Sequence, residues 1–222
     1  MAGKTDIPSN QEFSFEPKIG AGLRIFFYSQ LFVTPEYPKH SFAGQTVIVT
    51  GSNVGLGLEA ARHFYRLNCA RLILAVRTPS NGEAAKEDII RSVKSRSDAA
   101  AIEIWELDQS STASTLAFAN RVKAELPRVD AVVENAGVGP RAFKITDEGY
   151  EESAQINVLN TFLLLLSLLP KLVETKEKFP SSAPHITVVT SEAHRLTKFA
   201  EINEPDLYAR LNKEEHFQGP DR

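Results

Sequence analysis

Thr46-Val-Ile-Val-Thr-Gly-Ser-Asn-Val-Gly-Leu-Gly57 is the stretch from which the rest of the chain is read. Its first five residues are short and β-branched and are bounded by Gly44 and Gly51, the pattern of a buried strand. Glycines then stand at 51, 55 and 57. A glycine-rich turn between a strand and a helix lets backbone N–H groups approach a phosphate with no Cβ in the way. The helix expected over about Gly55 to Asn68 adds the positive end of its dipole. A tight turn without a ligand is the other use of such a loop. Placement after a β-branched strand, inside a repeated strand–helix pattern, favours the phosphate.

That repeated pattern continues outward. Arg71 to Val76, Ala101 to Leu107, Val129 to Glu134 and His185 to Thr190 read as further strands. Between them, Gly82 to Arg96, Ser110 to Leu126 and about Asp147 to Lys178 read as helices, the last interrupted near Pro170. Strands alternating with helices need crossover connections, hence a parallel sheet. The right-handed crossover rule makes an α/β doubly wound parallel sheet the expected fold. Upstream, Gly20 to Val33 is apolar and aromatic and ends before Pro35 and Pro38. A short helix docked on the domain is expected there rather than a membrane-surface anchor, because the basic polar face of an anchor is missing. The chain thus divides into an N-terminal extension, residues 1–40, and a nucleotide-binding domain, residues 41–222.

Composition removes several alternatives. The 222 residues carry 25 basic and 28 acidic side chains, a net charge of -3, which gives no electrostatic case for nucleic-acid binding. With 42% apolar and 24% charged residues the chain is of ordinary globular type. The single cysteine, Cys69, excludes a disulfide framework. His63, His185, His194 and His216 lack ligand spacing, so no metal site is expected. No run reaches the length of a membrane span, and the apolar run Phe162 to Leu169 reads as a helix buried against the sheet or a partner. Met1 to Pro17 has no apolar core of the kind a secretory signal needs, so a cytoplasmic protein is expected.

The glycine spacing is informative in itself. The G-x-G-x-x-G dinucleotide fingerprint has a different offset, whereas Thr50-Gly51-x-x-x-Gly55-x-Gly57 resembles the loop of the short-chain dehydrogenase/reductase family. Asn135-Ala136-Gly137 resembles that family's N-A-G motif after the fourth strand, although the preceding position, often a second Asn, is Glu134. Asp108 resembles the aspartate that contacts adenine, Asn157 the asparagine of the catalytic helix, and Ser191 the serine that orients the substrate oxygen. The resemblance covers about residues 43–195 and is greatest to fungal-type or retinol-dehydrogenase-type members. It implies a Rossmann fold, and a dinucleotide held by Gly51, Ser52, Asn53, Gly55, Leu56 and Gly57 with Asp108, Asn135, Ala136 and Gly137. It also implies oxidoreduction between a hydroxyl and a carbonyl on a small organic substrate.

The end of the second strand chooses between coenzymes. An NAD site usually places a carboxylate there for the ribose 2′-OH. Here Arg77 follows Leu72-Ile-Leu-Ala-Val76, and no carboxylate occurs between Leu72 and Gly82. A guanidinium suits a 2′-phosphate, so NADP (NADPH) is expected. The alternative is a solvated strand-end charge stacked on adenine. The same features disfavour a methyltransferase, whose S-adenosylmethionine has no phosphate. Ser191 lacks the G-x-S-x-G elbow of a hydrolase.

One part of the pattern is missing. The family's proton donor is the Tyr of Y-x-x-x-K, whose i, i+4 spacing puts both side chains on one helix face. After Ser191 the only tyrosine is Tyr208, followed by Asn212 at i+4 and Lys213 at i+5. Five residues turn about 500°, leaving Lys213 roughly 140° around the helix from Tyr208. The expectation is therefore that the Tyr–Lys helix lies past Arg222, that the domain is incomplete at its C-terminus, and that the fifth strand is an exposed edge. Two readings follow: an NADP-dependent oxidoreductase, or a truncated, catalytically inactive dinucleotide-binding or interaction protein. Partners expected are a small-molecule substrate and a second copy of the chain, with no nucleic acid and no integral membrane segment. Gly139, Pro140, Arg141 and Phe143 are candidate walls of the substrate pocket.

Overall fold

The computed structural model describes residues 19–191 and 204–217. Five short strands, rich in Val, Ile and Leu, form one parallel sheet: β1 (Thr46–Thr50), β2 (Arg71–Val76), β3 (Ile102–Glu106), β4 (Ala131–Glu134) and β5 (His185–Val188). Their order is β3-β2-β1-β4-β5. β1 pairs with β2 from Thr46↔Arg71 to Thr50↔Ala75, and with β4 from Val47↔Ala131 to Val49↔Val133. The order reverses between β1 and β4, which opens a crevice beyond their carboxyl ends, where ligands bind in such sheets.

The two-residue period of the strands builds two cores, one on each face. Val47, Val49, Leu72 and Leu74 point to one side and pack with Ala61 and Tyr65 of α2 (Gly55–Arg66) and Ala85 and Ile89 of α3 (Pro79–Ser92). Ile48, Ile73 and Val132 point to the other side. They pack with Phe118 and Val122 of α4 (Thr112–Glu125) and with Leu164, Leu168 and Leu172 of α5 (Thr161–Lys178). With both faces covered, the strands can be apolar throughout, which explains the continuous rather than alternating hydrophobicity of β1 and β2. β5 is half-exposed, stands at the end of the sheet and pairs only with β4 among the described residues.

The N-terminal ends of three strands meet at Asp130. Its carboxylate accepts hydrogen bonds from Thr46 N at 2.8 Å, from the Arg128 guanidinium and from the Ser182 hydroxyl. Its backbone carbonyl accepts from His185 N at 3.0 Å. Burial pushes the Asp130 carboxyl up, but those donors outweigh it and hold it below the usual carboxylate range.

Several boundaries differ from the sequence reading. α3 starts at Pro79 rather than Gly82, because Pro at the first helical positions has no N–H to lose. The helix expected from Asp147 starts later. Ile145 bridges Glu151, and Gly149 turns with φ 86° between them. The chain then passes through a widened π-type turn, Ala154–Asn160, directly into α5. Nor does Pro170 interrupt that helix. Pro170 has no N–H to donate to the Leu166 carbonyl, and the Leu166 side chain is exposed, so water can reach that face. By length and apolarity the helix Ala154–Lys178 is long enough to cross a membrane, a property missed by judging Phe162 to Leu169 alone. One of its faces nevertheless lies in the core.

The chain divides into two compact units. The sheet and its helices belong to Glu36–Gly139 and Glu152–Thr190. The described residues of the other unit are 19–35, 140–151, 191 and 204–217. Within it, α1 (Ile19–Phe32) is helical as expected, but only Gly22 is buried, and Phe27, Leu31 and Phe32 are exposed. Tyr150 packs edge-on to Tyr208, with ring centroids 5.7 Å apart, and Asn212 accepts from Glu151 N at 2.8 Å.

Candidate nucleotide-binding site

Gly51 is where β1 turns towards α2. Its φ is 63°, and a Cβ there would come within 2.9 Å of the Ala136 Cα. Gly57, in the first turn of α2, has no room for a Cβ because the Asn135 amide and the Gly51 carbonyl occupy that space. The two glycines therefore let the loop after β1 and the loop after β4 lie against each other. Asn135 joins them: its side-chain NH2 donates to Thr50 O at 3.0 Å and to Gly51 O at 3.3 Å. Thr50 Oγ1 in turn accepts from Asn135 N at 3.0 Å and Ala136 N at 2.9 Å.

These contacts frame a cleft of about 430 Å3 at the carboxyl ends of the strands. Gly51, Asn53, Val54 and Leu56 line it from the loop after β1, and Arg77, Thr78 and Asn81 from the end of β2 and the start of α3. Asp108, Gln109 and Ser110 come from the loop after β3, and Asn135, Ala136, Gly137 and Val138 from the loop after β4. Ile156 of the π-type turn closes one side.

The lining offers donors suited to an anion. Val54 caps α2 without a side-chain hydrogen bond, so a first turn of amides faces the loop with no side-chain acceptor at its cap. Ser52 Oγ is buried and has no partner among the described residues. Arg62, Arg71 and Arg128 are held in ion pairs with Asp88, Glu103 and Asp130. Arg77 is exposed on the cleft wall and makes no ion pair among the described residues. Asp108 is engaged locally, its Oδ1 accepting from Ser110 N at 2.9 Å and Ser110 Oγ at 2.7 Å.

The residues singled out in the sequence fall into three groups. Gly51, Asn53, Leu56, Arg77, Asp108, Asn135, Ala136 and Gly137 line the cleft. Ser52 lies in the same loop and Gly55 and Gly57 in the first turn of α2, all three outside the lining. Asn157 and Ser191 stand outside the lining. Asn157 grips the backbone of Val138, accepting from its N–H and donating to its carbonyl, each at 2.8 Å. Ser191 is exposed, three residues after the end of β5, and belongs to the other unit. In that unit Phe143 packs on Phe217 at 5.9 Å, and α6 (Leu207–Leu211) carries Tyr208 but ends before Lys213. His194 lies outside the described residues.

Part of the site carries no motif in the sequence. Thr78, Asn81, Gln109 and Ser110 line the cleft, and Thr50 organises it, yet none belongs to a recognisable motif position for ligand contact. Their signal was position alone, since each sits within a few residues of a strand's carboxyl end. Glu134 is also buried, against the usual exposure of a glutamate. Its burial follows from the two-residue period, which puts Glu134 on the same side as core residue Val132.

Comparison with known proteins agrees with this geometry. Residues 45–197 match the family model described as short chain dehydrogenase. The chain is 44% identical over 181 residues to the short chain dehydrogenase/reductase dmxR8 of Cryptosporiopsis sp. (strain 8999), covering 82% of this chain and 55% of that one. It is 43% identical over 176 residues to the short chain dehydrogenase atnD of Emericella nidulans, covering 79% and 54%. The chain therefore spans about half the length of these curated relatives. Among solved structures, a Mycobacterium paratuberculosis protein is 31% identical with a TM-score of 0.52, covering 70% of this chain and 49% of that one. An Escherichia coli CFT073 protein solved in complex with NADPH shares the fold, at 24% identity and a TM-score of 0.55, covering 72% and 63%. With the glycine loop, the N-A-G turn and the sheet order all in place, this chain belongs to the short chain dehydrogenase family.

Proposed function

We propose that this chain supplies the NADP(H)-binding part of an oxidoreductase that interconverts a hydroxyl and a carbonyl on a small organic molecule. The observation that carries the reading is Arg77 on the cleft wall, without an ion pair among the described residues and with no carboxylate between Leu72 and Gly82. A guanidinium at the end of β2 meets the 2′-phosphate that distinguishes NADP from NAD. Gly51, Ser52, Asn53, Gly55 and Leu56 would hold the pyrophosphate at the start of α2, and Asp108 would face the adenine side. Asn135, Ala136 and Gly137 would line the remaining length. When bound, the coenzyme carries the hydride; the protein's part is to orient it and to keep the loops rigid. Asn157 does the latter by fixing Val138, and Ser191 would hydrogen-bond the substrate oxygen. The NADPH complex of the Escherichia coli relative supports the choice of coenzyme.

A stripe of exposed apolar residues, Val158, Phe162, Leu166, Leu169 and Val173, runs along α5 and the turn before it. Its spacing of three and four residues is that of a helix-pairing seam, and a second copy of the chain would cover it symmetrically. A second functional reading keeps the binding and removes the turnover: the 222 residues contain no Tyr-x-x-x-Lys.

Titration of the purified chain with NADPH and NADH tests the proposal. NADPH should bind more tightly. Equal affinity removes the 2′-phosphate assignment, and no affinity for either coenzyme removes the function. Turnover of a ketone or alcohol panel by the 222-residue chain would defeat the binding-only reading.

A further inference from the structure

Glu134 ends β4 and is 2% exposed, on the side of the sheet that carries Val132 and faces α5. Its Oε2 receives a single long hydrogen bond, donated by Thr50 Oγ1 at 3.5 Å. Its Oε1 is buried with no partner among the described residues. Burial pushes the carboxyl up to about 8, and the Thr50 bond only partly opposes this. No cation among the described residues pairs with it. β1 and the π-type turn contain no ionisable residue. The ionisable residue of β5 is His185, which pairs with Ala131 at the opposite end of the ladder from Glu134↔Val188. α5 has none before Lys171, which is tied to Glu174 at 3.1 Å and to the Lys123 carbonyl.

The position matters because of what Thr50 holds. Thr50 Oγ1 accepts two amides of the loop after β4 and gives its one proton to Glu134, while the Thr50 carbonyl receives the Asn135 side chain. The next residue is Gly51, where the nucleotide loop begins. Glu134 is thus one hydroxyl away from both loops that frame the cleft.

We propose that Glu134 is a proton-controlled positioning residue of the nucleotide loop: as a neutral acid it leaves the Thr50 brace undisturbed, and on losing its proton it sets a buried negative charge beneath the pyrophosphate cradle and weakens dinucleotide binding. This rests on the coenzyme reading above. The charge acts in two ways. It repels the phosphates through a medium with little screening, and it pulls the Thr50 hydroxyl away from the amides of Asn135 and Ala136. Glutamine at this position keeps the shape and cannot ionise.

The test uses the whole chain, wild type and Glu134→Gln, between pH 6 and pH 9.5. In wild type, NADPH affinity should fall about tenfold or more across a midpoint near 8, one unfavourable charge being enough for a factor of that order. In Glu134→Gln the affinity should stay within about twofold over the same range, as expected where no proton is exchanged at that site. Unfolding without coenzyme gives a second readout. The folded protein keeps the proton up to about 8, whereas an exposed glutamate loses it near 4.5. Wild-type stability, relative to the variant, should therefore decline as pH rises through that window and level off above it. The infrared band of a buried protonated carboxyl, followed in wild type alone, reports the same titration should the variant not fold. NADPH binding with the same pH dependence in both proteins overturns the inference and leaves the coenzyme reading standing. A constant stability difference across the window also overturns it, as does a carboxyl band absent at pH 6. Absence of NADPH binding at every pH overturns the coenzyme reading, and the loop-control role with it.

Discussion

A β-carbon on Gly57 would collide with the Asn135 side-chain amide and the Gly51 carbonyl. That crowding couples the start of α2 to the loop after β4, and so couples the first amides of α2 to the rest of the cleft. Gly57→Ala should cost about 1–3 kcal/mol of stability, the usual penalty for overpacking. It should also weaken NADPH at least about tenfold, since the amides can no longer converge. Urea denaturation and a fluorescence titration on the same sample measure both. A variant that binds NADPH normally would show that the loop tolerates a wider spacing than the contact implies.

Much of this arrangement is legible in the residues, for identifiable reasons. β1 and β2 match their expected limits because both sheet faces are covered there, and a run bounded by glycine or loop residues has nowhere else to go. The glycine turn after β1 is legible because a positive φ at Gly51 and the crowding at Gly57 each demand glycine. Asp147 and Pro170 mislead for opposite reasons. At Asp147 a local turn closed by Gly149 outcompetes helix propensity, and at Pro170 tertiary packing of the inner face carries the helix past a residue that would break it in isolation. Partnerships between distant residues stay hidden. Nothing in the chain order shows that Thr50 meets Glu134, or that Asn157 grips Val138, because both pairs depend on strand register and the π-type turn.

Arg77→Glu is the sharpest probe of the coenzyme. Charge-assisted hydrogen bonds are worth about 1.5–3 kcal/mol, so NADPH affinity should fall by about 10- to 150-fold. Repulsion between the new carboxylate and the 2′-phosphate adds to that loss. NADH, which offers a 2′-OH in place of the phosphate, should bind at least as well as to wild type. The ratio of the two dissociation constants is the quantity to measure; an unchanged ratio would show that Arg77 does not read the 2′ position.

Asp130 is the structural counterpart at the other end of the sheet. Asp130→Ala strands the Arg128 guanidinium and the Thr46 amide and should destabilise the fold by about 3 kcal/mol, as when a buried ion pair loses one partner. Because the folded-state carboxyl is held below its ordinary value, its contribution is fully present above about pH 4 and is lost as pH falls through the lower, folded value. Wild type should therefore lose stability faster than Asp130→Ala on acidification below about pH 4. Parallel acid denaturation curves for the two proteins would show that the fold does not lower the Asp130 carboxyl below its unfolded value.

Cys69 turns the core itself into a reporter. It lies between α2 and β2, fully buried, in the cluster with Tyr65 and Leu72. Burial pushes its thiol up to about 11, and the Arg96 guanidinium offsets this only in part. At pH 8 about one thiol in a thousand is then ionised, and the thiolate is the reactive form. A disulfide reagent should label the native chain very slowly and the urea-denatured chain at once. If labelling requires opening of the core, a ligand that binds only the folded state slows it by the factor 1 + [L]/Kd, about tenfold at nine times Kd. NADPH should then protect Cys69 although it binds at the far end of β1 and β2. Labelling at the same rate with and without saturating NADPH would mean either that the coenzyme does not bind or that Cys69 is reached by a local opening, and direct titration on the same sample separates the two.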